Sequence, residues 1–108
     1  MKLPNETFCV LPWISLETSP IGSVRPCCLA DNELTDSNGN KYSLLTAKLN
    51  DIQHSISMQQ LRKQFLAGER PKTCRKCWDT EDAGVKSKRQ YTHERLESLL
   101  ATETEWTE

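Results

Sequence analysis

The sequence contains little apolar material for its length. Apolar residues make up 36% of its 108 residues, or about 40% once the 4 glycines are counted, and aromatic residues make up only 6%. Soluble domains typically reach about 45–50% apolar content. Because each ordered residue costs about 1.5 kcal/mol of conformational entropy, we expect this chain to need disulfides, a bound metal or a partner protein for stability.

Long apolar runs are also absent. No segment approaches the ~18 consecutive apolar residues of a membrane span, and residues 1–6 lead into no apolar signal-peptide segment. We therefore expect a cytoplasmic protein whose thiols stay reduced. The number of cysteines, 5, is odd, whereas secreted disulfide scaffolds normally contain an even number. These cysteines are accordingly candidate ligands of a metal or cluster.

The charges are distributed unevenly along the chain. The net charge of −1 is the sum of −2 over residues 1–56 (4 basic, 6 acidic), +5 over 57–95 (10 basic, 5 acidic) and −4 over 96–108 (0 basic, 4 acidic). The basic block would suit nucleic acid, but few aromatic residues interleave with its cations. We expect a solvated helical face instead. Binding that weakens steeply with salt would favour the nucleic-acid alternative.

The first half of the chain predicts a β-hairpin and a loop. Residues 13–17 alternate apolar and polar side chains, 18–22 have the composition of a turn, and 23–25 return. Residues 31–43 are rich in Asp, Asn, Ser and Gly and predict a surface loop. The spacing of residues 44–52 suits either a weak helix or irregular packing against the hairpin.

A helix is predicted to begin at Ser57. Ser57 and Gln60 have the spacing of a capping box, and an apolar stripe follows them. Gly68 and Pro71 then end the helix.

A second helix is predicted farther along, capped by Asp79 or Thr80 and running toward Leu100. These elements together predict an α+β fold: a small cysteine-rich domain in which an N-terminal hairpin and two or three helices surround one metal or cluster site. We expect this domain to span residues 1–101 and an acidic tail to span 102–108.

The cysteines form two differently spaced pairs. Cys74-Arg75-Lys76-Cys77 is a CxxC motif, which lets two thiolates converge on one metal centre. A thioredoxin-like motif would follow a strand in a βαβ unit, whereas this one follows a helix. Cys9 and Cys27 lie at the two ends of the predicted hairpin, with Gly22 between them. A four-cysteine zinc ribbon would normally use two CxxC knuckles.

The pattern Cys-x(9–15)-Gly-x4-Cys followed by a CxxC resembles the SPASM and twitch domains, which bind auxiliary 4Fe-4S clusters in radical S-adenosylmethionine enzymes. The resemblance covers about residues 8–90. It also includes four flanking motifs: Leu11-Pro12-Trp13, Cys27-Cys28, Met58-x-x-Leu61-Arg62-x-x-Phe65-x-x-Gly68-Glu69 and Glu81-x-x-Gly84-x-x-Ser87-x-Arg89.

The resemblance implies that Cys9, Cys27, Cys74 and Cys77 are the four ligands of one 4Fe-4S cluster. No cysteine follows Cys77, so one cluster is expected, as in the shorter twitch form, rather than the two of a full SPASM domain. Cys28 is interpreted as a small buried residue, with a ligand exchange between Cys28 and Cys27 as the alternative.

Several other residues near these motifs have open interpretations. Four cations next to the cysteines either stabilise a negatively charged cluster or serve solubility. Two tryptophans are expected to pack over the site. Two histidines have no metal-ligand spacing, so neither is assigned a role. Glu81 and Arg89 are interpreted as a pair on one helix face. The four cations are Arg25, Lys72, Arg75 and Lys76. The two tryptophans are Trp13 and Trp78, and the two histidines are His54 and His93.

The sequence contains no Cys-x3-Cys-x2-Cys motif, which leaves an open iron for S-adenosylmethionine in radical enzymes of this kind. We therefore expect a chain that is not catalytic alone. The first hypothesis is an auxiliary domain or subunit that relays electrons or presents a substrate such as a peptide to a radical S-adenosylmethionine core, in cis or in trans. The alternative is a four-cysteine zinc module with a structural or interaction role.

Overall fold

The computed structural model describes residues 3–97, and it confirms the predicted α+β fold. A two-stranded antiparallel sheet follows a single helical turn, and the remaining helices follow the sheet, from Leu49 onward. The elements are α1 (Leu11–Ile14), β1 (Glu17–Thr18), β2 (Val24–Arg25), α2 (Leu49–Gln53), α3 (Ile56–Leu66), a 3₁₀ turn (Lys72–Cys74), α4 (Arg75–Asp82) and α5 (Lys88–Leu96).

The hairpin is shorter than its sequence pattern predicts. Only Glu17 and Thr18 pair with the returning strand, opposite Arg25 and Val24 respectively. The prediction of a strand over residues 13–17 is wrong because residues 11–14 form α1, with proline in its first turn. Proline suits this position since it has no backbone N–H to donate and its φ is already helical.

Gly22 forms the tip of the hairpin. Its φ of +89° is one that only glycine adopts without strain, and an added Cβ would lie 2.9 Å from the hydroxyl of Ser43. The predicted loop over 31–43 packs back here. The backbone N–H of Leu34 donates to the carbonyl of Val24 at 2.7 Å, and the Leu34 side chain is buried.

The helix α3 matches its predicted apolar stripe but begins earlier than expected. Its N-cap is Ser55, whose side chain accepts from the backbone N–H of Met58, and not Ser57. A left-handed Gly68, with φ of +79°, follows its end as predicted.

The single helix predicted after the CxxC motif is instead two helices. α4 begins at Arg75 and therefore includes Cys77, so the prediction that it is capped by Asp79 or Thr80 is wrong. The chain breaks at Gly84, whose φ is +80°, and Ser87 then caps α5. The predicted continuation to Leu100 lies outside the described residues, as does the tail over 102–108.

The core lies between α1, the hairpin, α3 and α4. Its apolar members come from every part of the described chain: Phe8, Val10, Leu11, Val24, Leu34, Ile52, Met58, Leu61, Phe65 and Trp78. No helix within residues 3–97 is both long enough and apolar enough to span a bilayer.

Candidate metal centre

Four of the five cysteines line one cavity. Cys9 precedes α1, Cys27 follows β2, and Cys74 and Cys77 lie at the N-terminus of α4. Cys28 is exposed and does not line the cavity, so the expectation that it is buried is wrong. The fold thus brings together the two cysteine pairs that lie about fifty residues apart in the sequence.

The remaining walls of the cavity are largely apolar. They are formed by Leu11, Leu29, Phe65, Trp78 and Arg89. The space within them measures about 330 Å³, part of it open to solvent.

The thiols of the cavity are four in number. Within the described residues, no group of three or more His, Cys, Asp or Glu side chains is arranged to hold one metal ion. A zinc ion draws its ligands in to about 2.3 Å, whereas a cluster of several irons binds each thiolate at a different iron. Four thiols lining one cavity match the four cysteines that ligate a 4Fe-4S cluster.

The thiols lie in surroundings that disfavour an isolated thiolate. Burial raises the pKa of Cys9 to about 12, and it also raises the pKa values of Cys27 and Cys74. The neighbouring cysteines raise these pKa values further, because like charges in one cavity repel. Positive charge at the centre of the cavity would reverse this cost, and metal ions supply such charge.

Backbone N–H groups point at two of the sulfurs. The backbone of Leu11 donates to Cys9, and the backbones of Leu29 and Ala30 donate to Cys27. Each of these hydrogen bonds lowers the pKa of its thiol and partly offsets burial. Hydrogen bonds of this kind stabilise sulfur ligands in iron-sulfur proteins.

Three side chains from later helices fix the backbone around Cys9. His93 accepts from the N–H of Val10 at 3.1 Å, while Arg89 donates to the carbonyl of Phe8 at 2.9 Å. Arg62 donates twice to the carbonyl of Pro12, at 3.0 and 2.9 Å. The peptide groups on both sides of this cysteine are therefore held by α3 and α5.

The segment that contains Cys27 is tied to the CxxC motif. The backbone N–H of Asp31 donates to the carbonyl of Thr73 at 2.8 Å, and the backbone N–H of Asn32 donates to the side-chain hydroxyl of Thr73 at 2.9 Å. Thr73 directly precedes Cys74. These two bonds fix the second and third cysteines relative to each other.

Glu81 and Arg89 form a buried ion pair at the wall of the cavity. Arg89 is 6% exposed and donates to both oxygens of Glu81, at 3.0 and 2.6 Å. Burial raises the pKa of Glu81, but the hydrogen bonds from Arg89 and Ser87 together have a larger, opposite effect. The pKa of Glu81 therefore lies below its usual value. Arg89 is also the cavity's one charged lining residue among those described.

The two tryptophans differ in position. Trp78 lines the cavity as expected, and its indole N–H donates to the carbonyl of Pro71 at 2.9 Å. Trp13 instead packs on Phe8, with 5.0 Å between the ring centroids. It therefore supports the segment before Cys9 and is not part of the cavity wall, contrary to the prediction.

The four cations next to the cysteines in the sequence do not line the cavity. Arg75 pairs with Asp31 at 3.2 Å and with Asp79 at 3.3 Å, and Lys76 lies 4.0 Å from Asp31. Arg25 lies opposite Glu17 in the hairpin, and Lys72 is exposed. Their positions fit the solubility interpretation.

Three functional contacts were not predicted from the sequence. Two are the backbone hydrogen bonds of His93 and Arg62. The third is the position of Arg89 at the cavity. Glu81 lies in α4 and Arg89 in α5, so the prediction that they share one helix face is wrong. His54 is exposed, and its Nδ1 atom donates to the carbonyl of Asn50 at 2.8 Å, outside the site. A histidine or arginine on a mostly polar helix has no sequence signal that separates burial from exposure.

Comparison with known proteins supports the same kind of centre. The family model of the SPASM iron-sulfur cluster-binding domain matches residues 9–78, which begin at the first of the four cavity cysteines and end just after the last. No curated protein and no solved structure matches the chain. Because the family match covers well over half of the sequence, the protein belongs to the SPASM family of iron-sulfur cluster-binding domains.

Proposed function

We propose that the chain binds one 4Fe-4S cluster through Cys9, Cys27, Cys74 and Cys77 and serves as an auxiliary domain or subunit of a radical S-adenosylmethionine enzyme. The observation that carries the proposal is that these four thiols line one cavity, within residues that match the family of iron-sulfur cluster-binding domains. Four cysteines complete the ligation of such a cluster.

The chain's own residues fit this group in three ways. The cavity is mostly apolar and limits water, backbone N–H groups face two of the sulfurs, and a buried guanidinium lies at the wall. Cys74 and Cys77 also lie at the N-terminus of α4, where the helix dipole favours negative charge. When bound, the cluster supplies one-electron redox chemistry.

Domains of the SPASM family are found in radical S-adenosylmethionine enzymes, which supports a partner of this class. The electron relay, or the presentation of a substrate such as a peptide, is the role that we assign to this chain. A core that cleaves the cofactor needs an iron with an open coordination site, and four cysteines would close every iron here. The core is therefore provided elsewhere, in cis or in trans.

The test is anaerobic reconstitution with iron and sulfide, followed by metal and sulfide analysis. We expect about four iron and four sulfide per chain. One zinc per chain without sulfide would refute the proposal and leave the structural zinc module.

The ligand assignment is tested with single variants. Cys9→Ala and Cys77→Ala should lose most of the iron, because each removes a thiol from the cavity. Cys28→Ala is the matched control, since Cys28 is adjacent to Cys27 but exposed, and it should keep the full content. Equal losses in all three variants would make Cys28 a ligand.

A further inference from the structure

We propose that Arg89, held by Glu81, is a positioning and electrostatic residue that raises the reduction potential of the cluster. This inference rests on the proposed function, since it concerns the centre formed by the four cysteines. It goes beyond ligation because it assigns a task to a residue that does not bind iron.

Arg89 is fixed on all sides. Its Nε and Nη2 atoms donate to Glu81, and its Nη1 atom donates to the carbonyl of Phe8. The guanidinium carbon lies 5.4 Å from the ring centroid of Trp78, another residue of the cavity wall. Such a bidentate, stacked arrangement is specific to arginine, because lysine has no planar fork.

The ion pair has a direction relative to the cavity. Arg89 lines the cavity, whereas Glu81 does not, so the positive end of the pair is the nearer to the thiols. Because the ion pair has little contact with solvent, its electric field at the nearby thiols is only weakly screened.

Reduction of the cluster by one electron adds one negative charge beside this guanidinium. The reduced state therefore gains more from Arg89 than the oxidised state does, and the potential rises. Glu81 opposes this effect from the far side, while its hydrogen bonds from Arg89 and Ser87 hold the guanidinium in place. Removing the negative partner should raise the potential, and removing the positive one should lower it.

The chain contains a matched control pair. Arg70 also lies over Trp78, at 5.3 Å from the ring centroid, and it donates to Asp82 at 2.9 and 3.0 Å. Its side chain is 47% exposed and does not line the cavity. The two pairs thus share their chemistry and their aromatic neighbour but differ in burial and in access to the site.

The experiment is an anaerobic potentiometric titration of the cluster-loaded protein with dithionite as the electron donor. Iron and sulfide are measured first in every sample. Glu81→Gln should raise the ratio of reduced to oxidised cluster at a fixed potential about tenfold, which is about 59 mV for a one-electron couple. Arg89→Met should lower it by a larger factor, because Arg89 lines the cavity and Glu81 does not. Arg70→Met and Asp82→Asn should leave it nearly unchanged.

The opposite signs separate an electrostatic role from a structural one, because loss of packing would lower cluster content in both variants without opposing shifts in potential. If Arg89→Met does not fold, the double variant Glu81→Gln/Arg89→Met removes the buried charges together and should still lower the ratio. If the cluster-loaded Glu81→Gln protein has an unchanged or lower reduction potential, this inference is overturned while the proposed function stands. Wild-type protein that binds no iron would overturn the proposed function together with it.

Discussion

His93 is a buried histidine whose ring holds the backbone beside Cys9. Burial, together with the charge of the nearby Arg89, lowers its pKa from 6.5 to about 4. The ring is therefore neutral at pH 7, and its Nε2 atom must be the unprotonated one, since it accepts from the N–H of Val10. Protonation would both charge a buried group and remove this acceptor.

We therefore predict that stability falls with acidification in a window set by His93. The unfolded chain binds the extra proton below about pH 6.5 and the folded chain only below about pH 4, so stability rises with pH between these values. From pH 7 to pH 5 the loss should be about 1–2 kcal/mol.

Urea unfolding of the cluster-loaded protein at these two pH values measures the effect. His93→Gln should be less stable at pH 7 but should lose less on acidification. His54→Gln is the control because His54 is exposed. An equal pH dependence in the wild type and His93→Gln would contradict the assignment, whereas acid loss of the cluster itself would also appear in the control.

At the scale of the elements, α5 connects helix capping to the cavity. Ser87 is 2% exposed and caps α5 with a capping box to Gln90, and its hydroxyl donates to Glu81 at 2.6 Å. Ser55 caps α3 in a similar way and is 5% exposed, but its side chain accepts from the backbone N–H of Met58. Ser87 is thus bonded to the Glu81–Arg89 ion pair, whereas Ser55 is bonded to the backbone of its own helix.

Ser87→Ala and Ser55→Ala should each reduce the free energy of unfolding by about 1–2 kcal/mol, because each removes a buried N-cap. Only Ser87→Ala should also speed the release of iron to a chelator, since it frees Glu81 and with it Arg89. Chemical unfolding and the rate of iron release measure the two effects separately. Similar release rates in both variants would refute the link between the cap and the cavity.

The elements that sequence pattern predicted well are those with enough residues to define a period. The apolar stripe of α3 and the glycine after it are found as expected, although two serines two residues apart left the N-cap misassigned. The strand predicted over 13–17 failed because four or five alternating residues fit a strand and a single helical turn equally well. At Gly84, the break between α4 and α5 depends on a left-handed residue that a helix pattern also tolerates.

For the whole molecule, cysteine spacing predicted which thiols line one cavity, whereas local pattern misplaced several element boundaries around it. Two cysteine pairs with distinctive spacing indicate one centre even when the fold of the chain between the pairs is unknown. The cation at the cavity was not predictable in this way. Arg75 and Lys76 are next to ligands in sequence yet pair with surface carboxylates, whereas Arg89 reaches the cavity only through the packing of α5.

The same whole-molecule view predicts that the cluster is required for the fold. The four cysteines lie on separate segments at the N-terminus, after the hairpin and at α4, and the apolar content between them is low. A small domain has a net stability of about 5–15 kcal/mol, and metal–thiolate coordination can supply roughly that amount. Without it, the cavity would be lined by protonated thiols whose mutual contacts replace little of this energy.

We expect chelation of the iron to abolish cooperative melting and to remove most of the helical circular dichroism at 222 nm. Reconstitution should restore both, and Cys28→Ala should behave as the wild type throughout. Cys9→Ala, purified without its cluster, tests the same point without a chelator, because it should lack a cooperative transition from the start. Identical melting curves before and after iron removal would mean that the core and the three backbone anchors around Cys9 suffice, and the stabilising role of the centre would have to be abandoned.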